Sequence, residues 1–207
     1  MIQLVVDSTA ALPKDFLADH ANIHVIPLFI SIKGEYVPEN EATIEQVIEY
    51  SESTKKAVST SQPSTGDFLK MFESIPAEDP IIVICLTSGV SGTYNGAVLA
   101  ARQSGRKNIS VINSRTTAVG MMEIVEDALE FIDKGLSFEE VGEKLLESAS
   151  LLRTTFTVPT LDYLRRGGRV GKAAGLIGSI LKIKPVIYLN DNNEVDVLAK
   201  VRTEKKA

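Results

Sequence analysis

Apolar positions along the chain follow two patterns. Continuous β-rich runs at residues 2–6, 81–86 and 109–112 read as strands buried on both faces. Residues 23–30 read as a further strand, with residues 31–37 as its hairpin partner around a Lys33-Gly34 turn. Between these runs the apolar residues change to helical spacing. Val119, Met122, Ile124, Ala128, Leu129 and Ile132 place a helix within residues 117–134. Pro13 suits a first helical turn ahead of Phe16 and Leu17. Capping-box patterns at Thr43/Gln46 and Ser137/Glu140 open helices that reach residues 50 and 149, and Ser64 with Asp67 opens another reaching residue 74. A small-residue helix spans residues 93–103. Strands alternating with helices of this length predict an α/β domain with a parallel sheet over residues 1–150.

Near residue 150 the texture changes. Residues 154–158 are β-branched and end at Pro159. Residues 161–166 form a short helix stopped by Gly167-Gly168, and residues 172–183 are apolar and glycine-rich. Residues 184–189 and 194–202 read as a hairpin, because Asp191-Asn192-Asn193 tolerate positive φ at its turn. The apolar set Val186, Tyr188, Val195 and Val197 needs a cover, and a lone hairpin is marginal. Residues 151–207 are therefore expected to be the start of a second, incomplete α/β domain, truncated at its C-terminal end.

Composition narrows the function classes. The chain has 207 residues, 44% apolar and 24% charged, as an ordinary globular protein does. Lys plus Arg is 22 and Asp plus Glu 27, a net charge of −5. Such a chain has no general pull on nucleic acid or anionic membrane, so any anion site must be local. No apolar run approaches the roughly 18 residues of a bilayer span, so stable membrane insertion is not expected. The single cysteine, Cys85, allows no internal disulfide and suits a cytoplasmic location.

Three hydroxyl-rich segments adjoin the strands and helices: residues 7–9, 59–64 and 87–93. Loops after the C-terminal ends of parallel strands converge on one crevice, and a helix N-terminus favours an anion. The same residue types also serve as plain turns and caps. Arg165-Arg166-Gly167-Gly168-Arg169 can supply guanidinium donors to a carboxylate or phosphate, and the glycine pair can bring Arg169 back over the crevice. Enzyme motifs fit poorly. Residues 89–93 miss the G-x-S-x-G pattern by one position, and His20 and His24 precede Ser91. There is no P-loop, no Rossmann fingerprint and no zinc spacing. Donors for an anion without an evident base describe a binder more than a catalyst. A crevice enzyme acting on a small phosphate or carboxylate through Ser91 or Asp7 remains the alternative, and a stand-alone interaction domain is a third reading.

Several segments together resemble the DegV family: residues 6–13 (VDSTAALP), 60–64 (TSQPS), 87–94 (TSGVSGTY) and 161–170 (LDYLRRGGRV), with Lys184-Pro185 and Val201-Arg202-Thr203. The matches follow the family's order across residues 6–203. Thr87 stands where the family has serine, which keeps the hydroxyl. The resemblance implies a bacterial carrier of a long-chain fatty acid with two α/β domains, the acyl tail in the second and the carboxylate at their interface. It implies no cofactor and no catalysis of its own. The carboxylate is presented to a separate fatty acid kinase, whose acyl-phosphate feeds phospholipid synthesis. Carried over residue by residue, the carboxylate contacts are Thr60, Ser91 and Arg169, with Ser88, Gly92 and Arg202 as neighbours; Ser88 and Ser91 compete for the closer contact. Leu176, Ile177, Ile180, Leu181 and Ile183 have the spacing to line the tail, or simply to pack a core. Family members continue past the equivalent of Ala207, with a histidine that also holds the carboxylate.

Overall fold

The computed structural model describes residues 1–54, 56, 58–176 and 184–202. The chain opens with β1 (Gln3–Asp7), α1 (Lys14–Asp19), β2 (Ile23–Ile26), β3 (Phe29–Ile32) and β4 (Glu35–Pro38). It continues through α2 (Ile44–Thr54), β5 (Ser59–Ser61), α3 (Thr65–Glu73), β6 (Ile81–Cys85), α4 (Thr93–Gln103) and β7 (Ile109–Asn113). Then follow α5 (Val119–Asp133), α6 (Phe138–Leu151), β8 (Thr155–Thr157), α7 (Asp162–Arg166), β9 (Lys184–Leu189) and β10 (Val195–Val201). The mixed α/β architecture with a parallel sheet is the one expected. Among the described residues no helix is long and apolar enough to cross a membrane.

Four parallel strands make the central sheet in the order β2-β1-β6-β7. β1 and β6 lie in the middle, which is why their apolar runs are continuous. Leu4, Val6, Ile82 and Ile84 point to one side, where Met121, Ile124 and Val125 of α5 and Val141 and Leu145 of α6 cover them. Val5, Ile81, Val83 and Cys85 point to the other side, onto Phe68 and Phe72 of α3 and Ala97 and Ala100 of α4. Helices α3 and α6 both begin with a complete capping box, at Ser64/Asp67 and Ser137/Glu140.

The run at residues 23–30 is not one strand. Pro27 has no N–H to give a ladder, and the chain breaks there. β2 stays in the parallel sheet, whereas β3 joins β4 and β5 in a separate antiparallel sheet of order β4-β3-β5. A third sheet, β10-β9-β8, holds the expected hairpin, with Asn193 at φ +64 in its turn. The apolar face of that hairpin differs from expectation. Ile187 pairs with Val197 and Leu189 with Val195, so these four share a face, while Val186 and Tyr188 take the other. Ile187 and Val195 are buried against Ala173, with Val158, Leu164 and Val90 packed around them. Part of the acyl-lining set, Ile177, Ile180, Leu181 and Ile183, lies outside the described residues, as do residues 203–207.

At the N-terminal edge of the parallel sheet Arg106 clamps the connection between α3 and β6. Its Nη1 donates to the carbonyls of Phe72 (2.8 Å) and Ile75 (2.9 Å), and its Nη2 to those of Pro76 (2.9 Å), Ala77 (3.4 Å) and Asp79 (2.6 Å). Asn108 Nδ2 reinforces two of them, Ala77 and Asp79, at 3.0 Å each. Arg106→Ala is expected to destabilise the fold by about 2–3 kcal/mol, the scale of charge-assisted bonds lost with their acceptors left behind. Urea denaturation measures this. Ligand affinity at the opposite sheet edge should not change, and an unchanged midpoint would show the clamp to be idle.

Candidate functional site

Strand order reverses between β1 and β6: from β1 the chain moves first to β2 on one side, then to β6 and β7 on the other. In an open parallel sheet the crevice forms outside the carboxyl ends of the strands at this junction. Asp7 ends β1 and is fully buried. Its carboxylate accepts from the backbone N–H of Leu86 (2.6 Å), just past β6, and from Thr9 through N–H (3.0 Å) and Oγ1 (2.6 Å). Burial nevertheless pushes its carboxyl above the ordinary range, against the pull of those donors, with Glu39 adding a smaller push.

Beside this junction lies a cleft of about 910 Å³. Thr9, Leu86, Val90 and Ser91 form one side. Leu28, Phe29, Ile30 and Glu39, with Lys56 and residues 58–60, form another. Tyr163, Leu164, Arg166, Gly167 and Arg169 close it from the third sheet's side. Walls of Leu, Ile, Val and Phe thus carry hydroxyls and guanidinium groups at intervals, as apolar ligand sites with few polar anchors do.

Each expected site residue has a definite place. Thr60 lies on β5, opposite Ile30, and lines the cleft. Ser91 lines it as well. Its Oγ accepts from Thr93 N–H at 3.3 Å and is hydrogen-bonded to Thr93 Oγ1 at 2.9 Å, next to the start of α4. Arg169 folds back as expected: its Nε donates to the carbonyl of Val90 at 3.0 Å, and its Nη1 donates to that of Gly167. Thr60, Ser91 and Arg169, far apart in sequence, therefore meet on one cleft.

The other three do not line that cleft. Ser88 turns to β7, where Asn113 Nδ2 donates to its Oγ at 2.8 Å and Asn113 Oδ1 accepts from its N–H at 3.3 Å. Gly92 caps α4, and a Cβ there would sit 2.2 Å from Gln62 Oε1, so its bareness lets the 59–64 segment close against the 87–92 loop. Gly89 does the same for the third sheet: a Cβ would lie 1.8 Å from the carbonyl oxygen of Asn193. The close approach at both glycines is by the protein itself. Arg202 stands exposed beyond β10.

Sequence reasoning missed Glu39, Lys56 and Arg166 as cleft residues. Arg166 lies inside the 165–169 motif, next to Gly167. Glu39 and Lys56 flank α2, and only the folding of β3–β5 onto the crevice brings them there. Glu39 accepts the Ser8 hydroxyl, while Ser8 Oγ accepts from Leu28 N–H at 2.9 Å and Glu39 N–H donates to the Leu28 carbonyl at 2.8 Å.

The two groups of the alternative enzyme reading, Ser91 and Asp7, each have protein partners: Asp7 those given above, at Leu86 and Thr9. The hydroxyl of Ser91 is paired with Thr93, not with an imidazole or a carboxylate. His20 bonds the Phe16 carbonyl at 2.8 Å and His24 bonds Gln3 Oε1 at 2.9 Å. Among the described residues no cluster of His, Cys, Asp and Glu could hold a metal.

The family profile described as "Uncharacterised protein, DegV family" matches residues 1–207. The chain belongs to the DegV family. A DegV domain-containing protein of Staphylococcus aureus is 35% identical over 206 residues, covering 99% of this chain and 72% of the relative. A solved DegV protein from Thermus thermophilus, described by its fatty acid binding, superposes with a TM-score of 0.90 at 30% identity, over 99% of this chain and 73% of that one. A stearic acid-binding protein from Eubacterium ventriosum gives a TM-score of 0.86 at 30% identity, over 100% of this chain and 72% of that one. Residues of four of the DegV segments quoted above line the cleft: Thr9, Thr60, Val90 with Ser91, and Tyr163, Leu164, Arg166, Gly167 and Arg169.

The buried DegV-motif carboxylate gives a pH prediction. A carboxyl whose folded pKa is raised stabilises the fold fully below its unfolded value, near 3.8, and that contribution is lost as pH rises through the folded value. Asp7→Asn cannot ionise. The stability of the wild type relative to Asp7→Asn should therefore fall from pH 4 toward pH 7 in urea titrations. A difference that stays constant or grows with pH would show that Asp7 is not held above its ordinary range.

Proposed function

We propose that the protein binds a long-chain fatty acid, with the carboxylate held by Thr60, Ser91 and Arg169. The observation that carries this reading is their convergence on a single apolar-walled cleft. A carboxylate needs charge-assisted donors, which an Arg and two hydroxyls supply. The acyl chain needs a dry wall, and burial contributes about 0.8 kcal/mol per methylene. Leu28, Ile30, Val58 and Leu164 offer such a wall beside the polar groups. Family neighbours described as binding fatty acid and stearic acid support the ligand class. Arg166 adds a second guanidinium at the rim. Ser88 and Gly92 act one layer back, by fixing the 87–92 loop on Asn113 and Gln62. In the same reading the protein is a cytoplasmic carrier, not an enzyme. Residues 1–150 bring the carboxylate-binding loops, and residues 151–207 begin the unit that shelters the tail. The head group is presented to a fatty acid kinase that feeds phospholipid synthesis.

Native mass spectrometry with lipid extraction, on protein purified from bacteria, tests the ligand directly. One fatty acid per chain is expected. An empty protein that also fails to take up added long-chain fatty acid overturns the proposal.

Ser91→Ala and Thr60→Ala should each weaken fatty-acid binding by about 1–2 kcal/mol, the cost of leaving a charged acceptor short of a donor. Unchanged affinity in both folded variants would remove them from the site.

Arg169 has two jobs in this geometry, so its test needs two ligands. Arg169→Ala frees the Val90 carbonyl and should weaken a fatty alcohol somewhat. It should weaken the fatty acid of the same length several-fold more, by up to about 1 kcal/mol extra for an exposed charge pair. Equal losses for acid and alcohol would leave Arg169 only its structural role.

A further inference from the structure

Helix α2 has no buried residue. It is eleven residues long, shorter than the roughly 12–15 at which an isolated helix becomes stable in water. In proteins, packing of an apolar face normally supplies what such a helix lacks. This helix has an apolar face, of which Val47 is half-buried while the two isoleucines stand exposed. At 100° per residue Ile44, Val47, Ile48 and Ser51 fall on one stripe. Ile44 is 74% exposed and Ile48 49%. The opposite side, with Gln46, Glu49, Tyr50 and Ser53, looks onto the β3–β4 hairpin across a groove of about 530 Å³. The side of α2 that carries Ile44 and Ile48 therefore points away from the hairpin, while Gln46, Glu49 and Ser53 on the groove side are exposed as well.

Charge limits what can cover the stripe. Residues 35–54 contain six glutamates and no lysine, arginine or aspartate. Glu45 and Glu52 border the stripe next to Ile48 and are exposed. A second copy of the chain would bring the same acidic border against this one, and an anionic membrane would be repelled as well. A protein with an apolar centre bordered by lysines and arginines is complementary. The place of α2 in the chain matters too. Its N-terminal side leaves the cleft wall at Glu39, and its C-terminal side returns to that wall at Lys56 and residues 58–60.

We infer that the Ile44/Ile48 stripe of α2 is a docking surface for a basic partner protein. Because α2 lies between Glu39 and residues 58–60 of the cleft wall, docking is coupled to occupation of the cleft; by linkage, occupation changes partner affinity by the same factor. Only this coupling rests on the fatty-acid reading.

The probe is a synthetic amphipathic Leu/Lys helical peptide, with a scrambled peptide of equal composition as control, titrated onto the full chain. The amphipathic peptide should bind at least tenfold more tightly than the scrambled one and slow hydrogen exchange across residues 44–54. Ile44→Ser/Ile48→Ser should lose at least tenfold in affinity with an unchanged circular dichroism spectrum. Glu45→Gln/Glu52→Gln should lose several-fold and flatten the salt dependence. Equal binding of the scrambled peptide, or protection only outside α2, overturns the docking surface. So does stripe-dependent dimerisation in sedimentation, or stripe-dependent flotation with phosphatidylcholine vesicles. Saturating fatty acid should shift peptide affinity at least threefold. No shift while the fatty acid is bound overturns the coupling and leaves docking standing. No fatty-acid binding at all overturns the ligand reading instead.

Discussion

The Asp7 carboxylate is the point on which the site is built. Removing a carboxylate from water costs several kcal/mol unless donors replace the lost hydration. Here the Leu86 N–H and the N–H and hydroxyl of Thr9 replace part of it, burial still holding the carboxyl above its ordinary range. The need to satisfy one buried charge therefore ties the ends of the two central strands, β1 and β6, at the place where strand order reverses. Residues on either side inherit their positions. Ser8 reaches Glu39 and the Leu28 N–H, which brings the β3–β4 hairpin to the crevice. Leu86 leads into the loop that ends in Ser91 and α4. Thr9 and Leu86 of one side, and through Ser8 the hairpin side, are thus tied to one hydrogen-bonded carboxylate.

The third sheet is seated by the same loop. Gly89 admits the backbone of Asn193, Thr87 Oγ1 donates to the Asn193 carbonyl at 3.4 Å, and Arg115 grips the turn through Asn193 Oδ1 (3.1 Å) and the Asp191 carbonyl (2.9 Å). Val90 joins the small core around Ile187 and Val195. Arg169 then holds the Val90 carbonyl from above. A six-residue loop thus receives the hairpin turn, contributes to the second core and presents Ser91. A change in how the third sheet sits reaches the Ser91 hydroxyl through the short backbone stretch from Gly89 to Ser91.

Much of this was legible in the sequence because it rests on local rules. Continuous apolarity marks β1 and β6 since both their faces are covered, and the boxes at Ser64/Asp67 and Ser137/Glu140 close where their spacing says they will. The meeting of Thr60, Ser91 and Arg169 was legible only through ordered motifs that resemble a family, since spacing cannot report contacts across a hundred residues. Three things were not legible. Pro27 divides an apolar run between two sheets, which a propensity reading joins. The face of the β9–β10 hairpin depends on pairing register, and a one-residue shift exchanges Ile187 for Val186. Glu39 and Lys56 reach the cleft because the hairpin folds back, an event with no local signature.

Charge makes the last connection. The chain carries a net −5, yet its cleft is the one place argued to hold an anion. Net charge matters little there, because at physiological salt fields decay over about 8 Å and a half-enclosed apolar wall keeps nearby charges dominant. Within that range the cleft is not uniform. Arg166 and Arg169 stand on the side of Gly167, while Glu39 is fixed on the hairpin side by Ser8. A neutral ligand would feel no preference between these sides. A carboxylate is drawn to the guanidinium side and repelled from Glu39, so two opposite charges on one apolar cleft give an acyl chain a direction. Orientation, not total affinity, is what such an arrangement supplies to a ligand with one charged end.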